Sequence, residues 1–370
     1  MNAGNESMLP FVSVIIPCHN EAQYLARSLD SVLENDYSAE RMEVILADGM
    51  STDGTREQIE EYLARDRRVR RIDNPARITP SALNRAIEAS RGEIILRIDA
   101  HSAICRDYIS KAVAYLQSTS AWNVGGAMRT IADGTGPFAE PIGLVLTHRF
   151  GVGNSHFRTA ARTGSDQPRW VDTVFGGCWR REVFARIGGF NEELVRGQDL
   201  EFNLRLGRAG GRILLAPDLE SRYWARANLL YFIRHNWANG VWAVLPFAFS
   251  QGLPVRVRHL VPLAFVVVLT LSLLAAVLVS PHLEVLPILV VAPYLAASAT
   301  VSCVLGYQTR SFRNALLLPL AFASLHWVYG AGSLWGATRL ASILLRRCFA
   351  LRPARTSSKP LLSFDHKETL

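Results

Sequence analysis

An aspartate and a histidine two residues apart, Asp99 and His101, directly follow the mainly apolar stretch 94–98. Alternate residues of an extended chain project together, so the pair could hold a divalent cation, and such a cation neutralises a diphosphate leaving group. A loop histidine held by an ordinary hydrogen bond fits the triplet Asp99-Ala100-His101 as well, and alone it leaves both readings open. Asp48 ends another stretch, 43–47, apolar after Glu43, with Ser51-Thr52-Asp53-Gly54-Thr55 behind it; a carboxylate there can accept an N–H from a nucleobase. Asp53, just before a predicted helix, reads better as its N-cap. Asp199 lies in Gly197-Gln198-Asp199, at the start of a predicted amphipathic helix over 198–209. A carboxylate in that position could simply favour the helix dipole. Gly176-Gly177-Cys178-Trp179, earlier in the chain, offers pliable backbone and an aromatic face suited to a sugar, and in that company Asp199 is the best-placed general base for an acceptor hydroxyl.

These residues need a scaffold that brings them together. Residues 12–16 are apolar and β-branched apart from Ser13, then stop at Pro17-Cys18-His19-Asn20, as a buried parallel strand ending in a loop does. Tyr24, Leu25, Leu29, Val32 and Leu33 follow at helical spacing. Strand 43–47, helix 54–64, strand 69–72, helix 81–90 and strand 93–98 continue the alternation, which predicts right-handed crossovers and a mostly parallel sheet covered on both faces. Ligands bind such sheets at the carboxyl ends of the strands, so the loops 17–21, 48–53 and 99–102 should lie side by side. Residues 130–170 lose any period and read as a mobile loop that orders on substrate binding, with plain irregular structure as the alternative. Order returns over 171–179, a helix over 180–187 and the helix from 198.

Charge is unevenly distributed. The segments 260–280, 283–305 and 315–337 contain one ionised residue, Glu284, and each is long enough to cross about 30 Å of hydrocarbon as a helix. The first ten residues are polar and the apolar stretch 11–16 is too short for a signal peptide, so the front half is expected to remain in the cytoplasm. Cys18, Cys105, Cys178, Cys303 and Cys348 have neither paired spacing nor a C-x-x-C, which argues against a disulfide framework or a zinc site. The net charge of +8 comes largely from five arginines in 65–71 and a basic tail. Beside apolar helices such runs suit an anionic membrane surface better than nucleic acid. The expected organisation is a disordered N-terminus (1–10), a catalytic domain (11–225), interfacial linker helices (226–259), a transmembrane region (260–337) and a basic tail (338–370).

Four segments occur in order: Val-Ser-Val-Ile-Ile-Pro-Cys-His-Asn-Glu (12–21), Ala-Asp-Gly-Met-Ser-Thr-Asp-Gly-Thr (47–55), Leu-Arg-Ile-Asp-Ala-His (96–101) and Gly-Gly-Phe-Asn-Glu with Gly-Gln-Asp-Leu-Glu (188–201). With them the chain resembles the family 2 glycosyltransferases, and among these the enzymes of succinoglycan-type exopolysaccharide assembly, over about residues 10–225. The resemblance implies a GT-A fold, an α/β nucleotide-diphospho-sugar transferase, followed by C-terminal transmembrane helices. It implies a UDP-sugar donor, with Asp48 on the base, Asp99 in the metal and ribose region and Asp199 as catalytic base. Pro17, Asn20 and Glu21 would line the nucleoside pocket, Asp99 and His101 would carry Mg²⁺ or Mn²⁺, and Gly176, Gly177, Trp179 and Gln198 would meet the acceptor. The implied reaction is one in-line displacement with inversion. His101 replaces the commoner aspartate, which removes one negative charge and suits Mn²⁺ at least as well as Mg²⁺. The lack of a Gln-x-x-Arg-Trp segment favours addition of a single sugar, glucose-like hexoses first.

The positive-inside rule, applied to Arg256, Arg258, Arg310 and Arg313, puts the catalytic domain on the cytoplasmic face of the inner membrane. Three full crossings would send the basic tail outward, against the same rule; a re-entrant third segment, an exceptional tail, or an extra embedded helix within 237–253 each resolves the conflict. Tethering points to a lipid-linked saccharide acceptor, since it confines enzyme and lipid to one surface, and other exopolysaccharide assembly proteins are candidate partners. Transfer to polyprenyl phosphate itself, or a non-catalytic nucleotide-binding membrane module, are the rival readings. A dinucleotide oxidoreductase is disfavoured, because no G-x-G-x-x-G follows the first strand.

Overall fold

The computed structural model describes residues 9–163, 167–226, 228–250 and 254–350. The expected disordered N-terminus lies outside them apart from Leu9 and Pro10, and so does the tail beyond Ala350. The chain forms two compact units, residues 1–131 with 154–224, and residues 132–153 with 225–370. Where the sequence reads as one uninterrupted domain over 11–225, residues 132–153 group with the second unit instead.

The first unit is an α/β sheet built on β1 (Val12–Cys18), β2 (Met42–Asp48), β3 (Val69–Asp73) and β4 (Ile94–Arg97). These run parallel in the order β3-β2-β1-β4, with Cys18 opposite Asp48 and Ile15 opposite Arg97. Helices α1 (Leu25–Leu33), α2 (Thr55–Arg65) and α3 (Thr79–Ala89) make the crossovers. Both faces of β1 and β2 are covered, so strands that read as unbroken apolar runs form two cores. One gathers Val12, Val14, Ile16, Leu25, Leu29 and Leu46; the other holds Ile15, Ile45, Leu83 and Ile95. Glu43 is the exception within β2. It is sealed from solvent and accepts from the Ser13 hydroxyl (2.7 Å), the Arg91 N–H (2.7 Å) and Arg70 Nη1 (2.7 Å). Burial alone would raise its pKa, but these bonds outweigh it and hold Glu43 below the ordinary carboxylate value.

Beyond β4 the sheet changes direction. β5 (Ser102–Ile104), helix α4 (Tyr108–Ser118), β6 (Ala121–Asp133), β7 (Arg169–Val171), β8 (Phe175–Arg180) and β9 (Arg212–Arg226) extend it in the order β4-β8-β6-β9-β5, with β7 on β9. The β4–β8, β6–β8, β5–β9 and β7–β9 pairings are antiparallel. The sheet is therefore mixed, with the parallel half the sequence announces and an antiparallel half it does not.

The segment expected to be a mobile loop, 130–170, is largely regular. Helix α5 (Ala139–Thr147), the single turn α6 (Arg149–Val152) and helix α7 (His156–Thr163) occupy most of it. The reason is tertiary: these pieces are too short to display a helical period. The apolar face of α5 finds its partners far along the chain, where Ile142 and Val145 are buried with Phe232, Leu305, Leu318 and Phe322 of the second unit. Helices α8 (Arg181–Ile187) and α9 (Gln198–Arg208) complete the first unit.

The second unit is helical, comprising α5, α6, α10 (Leu229–Val244), α11 (Val261–Leu278), α12 (Val285–Gln308) and α13 (Phe312–Ala350). The spans Val257–Leu278, Pro281–Gln308 and Phe312–Cys348 are long and apolar enough to cross a membrane, and their outward leucines and valines, such as Leu271, Val277, Leu289 and Leu316, are exposed. Such a surface is stable in hydrocarbon and not in water, so the chain is a multi-pass membrane protein. α13 is the hub. A Cβ on Gly332 would lie 2.4 Å from the Trp237 carbonyl, and one on Gly240 would lie 2.0 Å from the Tyr329 carbonyl, so α10 and α13 touch backbone to backbone. α10 is thus packed along an apolar helix rather than standing apart as a linker. On α13, His326 is held at both ring nitrogens, by the Tyr294 hydroxyl (3.1 Å) and the Phe150 carbonyl (2.9 Å).

Candidate active site

The loops after β1 and β2 are stitched together by their own polar side chains. Asn20 takes a left-handed conformation (φ 56°), donates its N–H to Ser51 Oγ (2.9 Å) and accepts from the Thr52 N–H (2.9 Å). The Glu21 N–H donates to Thr55 Oγ1 (2.8 Å). Asp53 accepts from the Thr55 N–H (3.1 Å) and hydroxyl (2.6 Å) and from the Ala22 N–H (3.2 Å), and these bonds outweigh desolvation to hold its pKa below the ordinary value. The N-cap of α2 is Gly54, one residue after the expected Asp53; Asp53 instead ties the two loops into one rim.

Asp48, expected on the base, is enclosed at the end of β2. Its side chain has 0% exposure, accepts from the Ser51 N–H (3.1 Å) and pairs with Arg56 Nε (3.2 Å). These contacts let the carboxylate brace the 48–53 loop. The loop beside it does reach the site: Asp48, Glu21 and Asp53 all bear on the thiol of Cys18, which burial first and these charges second push far above its ordinary value.

Around the end of β4 the site gathers. Asp99 Oδ1 accepts from Arg97 Nε (2.9 Å), and both side chains are largely buried. Burial works against the charge of Arg97, yet Asp99 and then Asp199 more than offset it, and its pKa is raised. Asp199, in the first turn of α9, is therefore close enough to act on the same guanidinium as Asp99. Its Oδ1 accepts from the Leu200 N–H (2.9 Å). His101 Nδ1 lies 3.1 Å from Glu21 Oε1. In the tautomer with the hydrogen on Nδ1, that nitrogen donates to the carboxylate and the lone pair falls on Nε2. That is the arrangement found behind metal-ligating histidines. The other Glu21 oxygen, Oε2, is buried without a partner.

A divalent cation fits this donor set. Among the described residues no three His, Cys, Asp or Glu side chains converge to hold one, and a Mg²⁺-type ion takes one or two protein ligands with the remainder from substrate phosphates and water. Asp99 and His101 would supply one carboxylate and one imidazole to such an ion, a mixed set that suits Mn²⁺.

Several expected contacts resolve differently. Trp179 is a correction: it is 1% exposed, edge-on to Phe184, Phe190 and Phe202 in the core, and cannot offer its face to a sugar. Alternation along β8 turns it inward, and its burial beside Gly177 is steric. A Cβ on Gly177 (φ +133°) would fall 2.3 Å from the Trp179 ring, and one on Gly176 would fall 2.8 Å from the Arg97 carbonyl. The two glycines therefore serve the β4–β8 pairing. Gln198 is buried beside Asp199, and Pro17 is half-buried at the end of β1.

The sequence reading missed four residues here. Arg97 could have been noticed as a charge within a buried strand. Tyr223, on β9, meets His101 edge-on (5.1 Å) and Phe175 (5.8 Å). Arg158, on α7, lies over the rings of Phe157 (5.4 Å) and Tyr223 (6.0 Å). Nothing local singles out Tyr223, Phe175 or Arg158.

The profile described as Glycosyl transferase family 2 matches residues 13–188. The succinoglycan biosynthesis protein ExoA of Rhizobium meliloti (strain 1021) is 32% identical over 266 residues, 71% of this chain and 78% of that protein. A Methanococcus voltae dolichyl N-acetyl-alpha-D-glucosaminyl phosphate 3-beta-D-2,3-diacetamido-2,3-dideoxy-beta-D-glucuronosyltransferase is 25% identical over 254 residues, 66% of this chain and 74% of that protein. Among solved structures, the mannosyltransferase PcManGT from Pyrobaculum calidifontis, in complex with GDP-Man and Mn²⁺, superposes with a TM-score of 0.58 at 21% identity, covering 89% of this chain and 88% of that one, and so shares the fold. By its sequence and its GT-A-like architecture, this chain belongs to glycosyl transferase family 2, related to the ExoA-type exopolysaccharide glycosyltransferases, and is an enzyme that transfers a sugar from a nucleotide-sugar donor.

Proposed function

We propose that the enzyme adds a single sugar, a glucose-like hexose, from a UDP-sugar to a lipid-linked saccharide at the cytoplasmic face of the inner membrane, in exopolysaccharide biosynthesis. The observation that carries the reading is the cluster at the end of β4, where Asp99 pairs with buried Arg97 at 2.9 Å and His101 lies 3.1 Å from Glu21, with Asp199 near enough to support the charge of the same guanidinium. The cluster supports a phosphate-and-cation region with a general base at its edge. Asp199 takes the proton of the acceptor hydroxyl, whose oxygen attacks the anomeric carbon as the bond to the nucleoside diphosphate breaks, and the configuration inverts. Asp99 and His101 hold Mg²⁺ or Mn²⁺, which when bound supplies Lewis-acid neutralisation of the departing diphosphate. Glu21 orients His101, and the rim made by Asn20, Ser51 and Thr52 lines the nucleoside side.

Membrane attachment supports the acceptor class, since the apolar helices confine the enzyme to the surface that holds a lipid-linked substrate. The cytoplasmic orientation is supported by Arg256, Arg258, Arg310 and Arg313, which flank the apolar spans. The decisive experiment incubates the full chain, purified in detergent, with a panel of nucleotide-sugars, with and without Mn²⁺ and with an extracted lipid-linked oligosaccharide. Metal-dependent release of UDP with an inverted anomeric linkage in the lipid product is the expected result. Donor intact with every acceptor would overturn the reading, and equal turnover with a soluble sugar would overturn the lipid acceptor.

A further inference from the structure

Two arginines, the buried Arg97 and the partly buried Arg158, lie near enough to Asp199 for its charge to support theirs, and their surroundings differ in one respect. Arg97 has a carboxylate 2.9 Å away. For Arg158 no described carboxylate forms an ion pair, and its Nη1 is buried without any hydrogen-bond partner. Its planar fork is held between the rings of Phe157 and Tyr223, and the Tyr223 ring in turn rests against His101. Burial, the largest influence on it, pulls the pKa of Arg158 down despite some support from Tyr223 and Asp199; for Arg97 the balance goes the other way. A guanidinium left with an open donor inside a protein costs free energy unless a ligand completes it. Its fork geometry and stacked plane suit a phosphate, which it can grip bidentately.

We propose that Arg158 is a phosphate-binding residue of the cleft, its Nη1 completing a charge-assisted hydrogen bond to an oxygen of a substrate diphosphate. The site rests on the donor reading above, and two substrates carry this chemistry: the nucleoside diphosphate of the donor and the diphosphate of a polyprenyl-linked acceptor. The position of Arg158 beside both the His101–Tyr223 contact and Asp199 puts either within the same small region. The role is distinct from that of Asp99 and His101, which hold a cation; Arg158 supplies a fixed positive charge from α7, on the far side of Tyr223 from His101 in the chain of ring contacts.

The test measures binding to the full chain in nanodiscs, using UDP, uridine and undecaprenyl diphosphate as separate probes, for the wild type, Arg158→Gln and Arg158→Lys. If the donor is the source, UDP binding weakens by about ten- to a hundred-fold in Arg158→Gln, uridine binding is unchanged, and undecaprenyl diphosphate binds as in the wild type. If the acceptor is the source, the loss of the same size falls on undecaprenyl diphosphate alone. Arg158→Lys keeps the charge without the fork and should lose less in either case, and it carries the test should Arg158→Gln fail to fold. Unchanged binding of both diphosphates would overturn the proposal, and so would a loss for uridine equal to that for UDP, since that would make Arg158 a support of the nucleoside pocket. A wild type that binds UDP but consumes no nucleotide-sugar would sink the transferase reading and leave the Arg158 contact standing.

Discussion

Replacing Asp199 by asparagine separates its chemical role from its structural one. The side chain does two things: Oδ1 accepts from the Leu200 N–H at 2.9 Å, and the charge bears on Arg97 and Arg158. Asparagine keeps an oxygen for the first task, so the Leu200 N–H keeps its acceptor. Arg97 keeps its 2.9 Å partner Asp99, so it does not become an unpaired buried charge. The fold should therefore lose less than about 1 kcal/mol, the net worth of one hydrogen bond. What vanishes is a group able to take a proton, and a positioned general base contributes roughly 10²–10⁴-fold, or about 3–5 kcal/mol of barrier. The assay is initial-rate release of nucleoside diphosphate from a nucleotide-sugar with saturating lipid-linked acceptor, beside nucleotide binding and thermal unfolding of the same preparation. Turnover should fall by at least about a hundredfold with nucleotide affinity within a factor of about two and an almost unchanged unfolding temperature. Asp199→Ala should show the same loss of turnover and a further loss of stability. A variant retaining more than about a tenth of wild-type turnover would refute the reasoning and point to an acceptor that needs no deprotonation, such as a phosphate.

Glu21→Gln should weaken Mn²⁺ binding by about ten- to a hundred-fold, measured by Mn²⁺ electron paramagnetic resonance in the presence of UDP, because His101 loses the carboxylate that fixes its tautomer; unchanged affinity would remove His101 from the cation site. Glu43→Gln should destabilise the α/β unit by about 1.5–3 kcal/mol, read by denaturant unfolding at neutral pH. Because the folded pKa of Glu43 is lowered, its contribution is fully present above the unfolded value of about 4.3 and is lost as the pH falls through the lower folded value, so wild type and variant should converge in acid. Gly177→Ala places a methyl against the Trp179 ring and Asn123 in a left-handed backbone and should cost about 1–3 kcal/mol, detected as a lowered unfolding temperature, whereas Trp179→Phe should leave acceptor affinity unchanged because the indole is sealed in the core.

The parallel half of the sheet was legible in the residues because each strand is buried on both faces and each crossover helix repeats a 3.6-residue period, signals that a local window contains in full. The strand ends carried Asn20, Asp48 and Asp99 with them, so the region of the site followed from chain alternation alone, and the apolar spans announced a membrane by length and lack of charge. Burial of individual side chains belonged to the tertiary structure. Whether Asp48 faces a ligand or braces a loop depends on Arg56 and Ser51 closing over it, and Trp179 lost its expected sugar contact to three phenylalanines from α8, α9 and the turn between them. The antiparallel strands, the helices of 139–163 and the arrival of Arg158 beside Asp199 all depend on partners distant in sequence. Sequence determined which segments become strands, helices and membrane spans, since those are set by local periodicity and hydrophobicity; the tertiary structure alone decided which charges meet, because a charge is paired or left open by groups that only folding brings near.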